Sequence, residues 1–156
     1  MKSREKREHN WRAAQLSLGA HVLLLSLLSL AFASGALIWW GQTGGAVEDE
    51  LLLSRRPASW VRPLLVFHGC LFPVQCAMFG YLIKAHFRPG WHLKANRVTG
   101  LAMDVVFVVM MLSGVGLYYL DSWRDMVVWI HRLAGLGVPV FLGIHWWSAH
   151  RWVKSL

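Results

Sequence analysis

Apolar residues in this chain come in long unbroken runs, not in the alternating or three-and-four spacing of elements that show one face to water. No Asp, Glu, Lys or Arg occurs between Arg12 and Glu48. The apolar stretch from Leu16 to Trp40 within it exceeds the roughly 20 residues that a helix needs to cross the hydrocarbon of a bilayer. A second charge-free run extends from Pro63 to Ile83, and a third, Val98 to Leu120, is interrupted only by Asp104. A fourth begins near Met126, carries Arg132 close to its start and continues to His150. The pattern predicts an all-α integral membrane protein, a four-helix transmembrane bundle with helices at about 13–40, 60–86, 95–120 and 124–152. These use nearly the whole chain, so residues 1–156 form one domain.

Breakers mark the connections. Gly41, Gly44 and Gly45 open a loop over about 41–59 that carries an acidic cluster, and Glu50 to Leu53 is long enough only for an interfacial turn. Pro73 falls inside the second helix, where a kink is expected. Pro89 and Gly90 sit in the basic loop before the third helix, and Asp121 with Ser122 offers a stop and a cap before the fourth. The first span, preceded by basic residues and containing Ala33, Ser34 and Gly35, has some features of a secretory signal. Its apolar run is longer than the roughly 7 to 15 residues of a signal core and it contains His21, which favours an uncleaved helix.

The chain is 56% hydrophobic with a net charge of +8. A basic balance of this size is compatible with nucleic-acid binding, but the cations are distributed as membrane topology requires. Four spans put both termini on one side. That side receives Lys2, Arg4, Lys6, Arg7 and Arg12, the middle loop's Lys84, Arg88, Lys94 and Arg97, and the tail's Arg151 and Lys154, eleven cations in all. The other side receives Arg55, Arg56, Arg62, Arg124 and Arg132, offset by Glu48, Asp49, Glu50, Asp121 and Asp125. The positive-inside rule then places both termini in the cytoplasm of a bacterial-type inner membrane. Trp39, Trp40, Trp60, Trp123 and Trp129 fall at the outer ends of the spans, and Trp11, Trp91, Trp146, Trp147 and Trp152 at or near the inner ends, as interfacial aromatic rings should. Cys70 and Cys76, six residues apart, point in different directions on a helix and read as two small buried residues, not as a disulfide or metal pair. No Cys-x-x-Cys-His is present for covalent haem attachment.

Eight histidines in so apolar a chain call for a chemical reason, because ionisable groups in hydrocarbon are costly and usually functional. Depth sorts them. His21 lies nine residues inside Arg12 and His145 six residues before Arg151, on the order of 13 Å and 9 Å from the inner boundary. His68 follows Arg62 by six residues and His131 follows Arg124 by seven, roughly 9 to 10 Å from the outer boundary. His131 and His145 are fourteen residues apart, so on one helix they fall within about 40° of each other and about 21 Å apart along the axis. One helix therefore offers a ligand to each of two stacked sites, opposed by His21 and His68. Bis-histidine ligation suits a haem iron that only carries electrons, since both axial positions are filled. A single intramembrane histidine is equally explained by a hydrogen bond to a neighbouring helix; four at two matched depths point to two b-type haems. His9 and His92 are solvated, His150 is interfacial, and His86, eighteen residues after His68 but beyond Lys84, competes for the inner level. Several glycines would let a flat macrocycle approach the helices, and Arg62 and Arg132 either pair with haem propionates or set topology.

The segment HRLAGLGVPVFLGIH, together with His21, His68 and KANRVTGLAMDVVFVVMMLSGVGLYYL, resembles the four-helix di-haem cytochrome b subunits of respiratory formate dehydrogenases and related prokaryotic membrane cytochromes b. The resemblance covers nearly all of the chain. It implies that His21 with His145 binds the inner haem and His68 with His131 the outer one. It also implies a quinone pocket near the inner haem at Asn96, and an iron–sulfur or cytochrome partner on the outer face. Such a chain is the electron-transfer subunit of a respiratory oxidoreductase, not a stand-alone enzyme. Asp104, on the cytoplasmic half of the third helix, is a proton carrier for that pocket or a neutral carboxyl bonded to its neighbours. The competing readings are a haem-free anchor or assembly subunit and a small four-helix transporter.

Overall fold

The computed structural model describes residues 16–43, 47–49, 54–56, 58–92 and 96–154. The basic arm with His9 and Trp11, the beginning of the first helix near residue 13, the Glu50–Leu53 turn, Gly44, Gly45 and Lys94 lie outside the described residues. Helix α1 covers Leu18–Thr43. Strands β1 (Val47–Asp49) and β2 (Ser54–Arg56) form an antiparallel pair in which Glu48 stands opposite Arg55. Helix α2 covers Val61–Leu82 and passes through a π-helical turn, Ile83–Phe87, into the short α3, Arg88–His92. Helix α4 covers Arg97–Tyr119, a 3-10 turn occupies Asp121–Trp123, and α5 covers Arg124–Lys154.

The described chain is helical apart from the small hairpin, and four helical stretches are long and apolar enough to cross a membrane: Leu18–Thr43, Val61–His92, Arg97–Tyr119 and Asp121–Trp152. Their side chains bear this out. Val66, Leu112, Val140 and many other large apolar residues remain exposed, while among the described residues the buried apolar set is confined to Leu27, Ile38, Val61, Met78, Met103 and Val127. An apolar surface of that extent requires lipid in place of water.

The second span departs from expectation. The helix does not stop near residue 86 but continues to His92, carrying Pro89 and Gly90 inside it. Proline lacks the N–H that would bond the carbonyl of Ala85, and its ring presses on that carbonyl. The chain responds by widening the preceding turn, where Arg88 N–H reaches back five residues to Ile83 O. Pro73 and Pro139 are likewise carried inside α2 and α5 without ending them.

Two compact units divide the described residues, Leu18–Met78 and Phe79 onward. In the first, α1 meets the start of α2 at Gly41, where an added Cβ would lie 2.5 Å from both Trp60 and Val61 side-chain carbons. Trp40 and Trp60 meet at a tilt beside it, with ring centres 6.0 Å apart. In the second unit α4 packs along α5, Gly116 admitting Val127, and Phe107 of α4 stacks on Phe79 at 5.8 Å.

Candidate functional site

Three histidines share one local construction. His68 of α2 places Nδ1 2.8 Å from the hydroxyl of Ser34 in α1. His131 of α5 places Nδ1 3.0 Å from the hydroxyl of Ser113 in α4, and His145 places Nδ1 3.0 Å from the hydroxyl of Thr99 at the start of α4. Each hydroxyl has a single hydrogen, and helix geometry directs it to a carbonyl of the preceding turn. Ser34 donates to Leu30 O at 2.7 Å with Ala31 O at 3.1 Å, and Ser113 to Val109 O at 2.7 Å with Met110 O at 3.1 Å. Thr99 donates to Asn96 O at 3.2 Å. The hydroxyl oxygen is then an acceptor toward the imidazole, so Nδ1 carries the proton and Nε2 keeps its lone pair. Ser34 and Ser113 are themselves buried.

A glycine follows every one of these hydroxyls, and each lies against the ring it serves. A Cβ on Gly35 would sit 3.4 Å from His68 Cε1, one on Gly114 3.6 Å from His131 Cε1, and one on Gly100 3.7 Å from His145 Cε1. Thr99-Gly100 and Ser113-Gly114 are fourteen residues apart on α4, matching the fourteen between His131 and His145 on α5. Two paired helices thus repeat one motif at two levels. Fourteen residues bring each helix back to nearly the same face, so both histidines of α5 meet α4 in the same way.

The level of His145 holds more polar groups. Asn96 is in the left-handed region, φ 48° and ψ 30°, a conformation that asparagine tolerates better than most residues. Its side chain makes no capping bond to α4. Instead Nδ2 donates to His145 O at 3.5 Å, while Ser148 Oγ donates to Asn96 Oδ1 at 2.8 Å. Arg97 donates to Trp91 O at 3.0 and 2.7 Å and stacks over the Trp91 ring, tying α3 to the start of α4. His86, in the π turn, faces His145 with ring centres 6.1 Å apart, and Asp104 of α4 interacts electrostatically with His86.

The structure therefore brings Asn96 to His145 and equips His68, His131 and His145 alike. His21 is exposed near the start of α1, in the unit that also holds His68. Ser34, Thr99 and Ser113 were not anticipated from the sequence, although the Ser/Thr-Gly dipeptides at histidine spacing carry the signal. Arg132 lies over the Trp129 ring and Arg151 over Trp147; Cys70 is exposed and Cys76 half-buried, not the two buried residues expected, and their thiols are not bonded to each other. Among the described residues no three metal-ligating side chains converge. A bis-histidine haem asks for only two, because the porphyrin supplies the other four. Comparison with protein-family models, curated proteins and solved structures finds no match.

Proposed function

We propose that this chain is a di-haem b-type cytochrome that carries electrons across a membrane. The observation that carries the reading is the shared construction at His68, His131 and His145: a hydroxyl on Nδ1, that hydroxyl's own hydrogen on a carbonyl, and a glycine beside the ring. Metal-bound histidines characteristically donate their second ring nitrogen in this way, which sets the tautomer and the ring orientation. Haem, when bound, supplies a one-electron carrier that needs no open coordination position.

The residues divide the work. Ser34, Ser113 and Thr99 hold their imidazoles with Nε2 available for iron. Gly35, Gly114 and Gly100 let the neighbouring helix lie close against the three rings. The pairing of His68 with His131 at one level, and of His145 with a second histidine at the other, rests on the matched depths in the sequence. Asn96, whose Nδ2 carries two hydrogens and uses one on His145 O, offers the other to a quinone carbonyl at that end. The charge distribution supports cytoplasmic termini, and with them a His145 level on the cytoplasmic side of a bacterial-type inner membrane. A redox partner, an iron–sulfur or cytochrome protein, then exchanges electrons at the opposite face. The test is the reduced-minus-oxidised spectrum of the purified chain with haem counted against protein. Two b-type haems per chain are expected; folded but colourless protein from haem-sufficient cells overturns the reading.

A further inference from the structure

We propose that His86, in place of His21, is the second axial ligand of the haem at the His145 level. The inference rests on the haem reading above and changes one of its four ligands. Metal–imidazole bonds are about 2.0 Å long and each ring centre lies about 1.1 Å behind its nitrogen, so imidazoles on opposite sides of one metal have centres about 6 Å apart. His86 and His145 have ring centres 6.1 Å apart. Their planes are at 84°, which axial ligation permits because the planes of two imidazoles on one metal need not be parallel.

The backbone supplies a second, independent reason. His86 stands inside the π-helical turn Ile83–Phe87, and such turns are rare and concentrate at functional sites. Pro89 is the residue that opens the turn, so the sequence encodes the distortion locally. The turn alters the phase of the helix just where an imidazole is needed, so spacing counted along a regular helix misplaces His86. The continuation of the helix through α3 to His92 also removes the objection that Lys84 marks the end of the span.

His145 has neighbours suited to support it: Thr99 Oγ1 accepts from its Nδ1–H, and Asn96 donates to its carbonyl. These residues and His86 belong to one compact unit.

The experiment counts haem by pyridine haemochromogen and records low-spin EPR on the full-length chain in detergent, for the wild type, His86→Ala, His86→Met and His21→Ala. The proposal expects two haems in the wild type, one in His86→Ala and two in His21→Ala. It expects His86→Met to retain two haems, with one low-spin signal changed to that of histidine–methionine ligation and its potential raised. The methionine variant keeps a ligating side chain, so it remains informative if the alanine variant does not fold. Two unchanged low-spin signals in His86→Met, or loss of a haem in His21→Ala, overturn the assignment of His86 and leave the di-haem reading standing. A colourless wild type overturns both.

Discussion

A hydroxyl that has spent its hydrogen on a backbone carbonyl leaves an imidazole one way to bond it, and that constraint acts at Ser34, Ser113 and Thr99. Removing the hydroxyl takes a hydrogen-bond partner from a half-buried ring, at a cost of about 0.5–1.5 kcal/mol. Loss of such a support typically weakens metal affinity by about ten- to a hundredfold. On the proposed pairing of His68 with His131, Ser113→Ala and Ser34→Ala should therefore weaken one and the same haem, while Thr99→Val weakens the other. Thr99→Ser should behave as wild type. The measurement is haem retention under imidazole competition together with the EPR signal of each haem. Equal effects of Ser113→Ala and Thr99→Val on both haems would contradict the assignment of one hydroxyl to one level.

Among the elements, the approach of α1 to the start of α2 depends on Gly41. An added methyl there meets Trp60 and Val61 carbons at 2.5 Å, so Gly41→Ala forces the helices or the indole to move. Overpacking of this kind costs about 1–3 kcal/mol. Thermal unfolding in detergent should show a lowered midpoint for Gly41→Ala and none for Gly80→Ala, whose Cβ would meet nothing within 4 Å. The π turn is a second property of an element. Pro89→Ala restores a donor for Ala85 O, so the turn relaxes toward regular α-helix and His86 swings away from His145. The His145-level haem should lose its low-spin signal or fall below one per chain, while the His68–His131 haem keeps its spectrum. Identical spectra for Pro89→Ala and wild type would show that the turn does not position the ligand.

For the molecule as a whole, four helices with lipid-ready surfaces place the loops on two sides, and the cations decide which side is which. Eleven Lys and Arg residues on one side against five on the other predict cytoplasmic termini. With Cys70 and Cys76 replaced, a single cysteine at Ser122, in the exposed turn before α5, should react with an impermeant reagent added outside intact cells. One at Ser3 should react only after the membrane is opened. Reaction of Ser3Cys from outside would invert the assignment and move the His145 level to the outer half.

The long charge-free runs determined by themselves that four helices form and about where they lie, because the cost of burying charge in hydrocarbon is paid residue by residue along the chain. The fourteen-residue step between His131 and His145 was legible for a similar reason: a regular helix converts sequence distance directly into angle and depth. What the sequence could not convey were contacts between helices. Which hydroxyl meets which imidazole, and which glycine lies against which ring, depends on how α1 meets α2 and how α4 meets α5, and neither follows from one helix alone. The second span shows the limit of counting most plainly. Pro89 and Gly90 read as a loop, but a membrane helix keeps its backbone bonded where it can, so the chain widened one turn and went on. That local response to Pro89, which counting along a regular helix does not foresee, sets His86 beside His145.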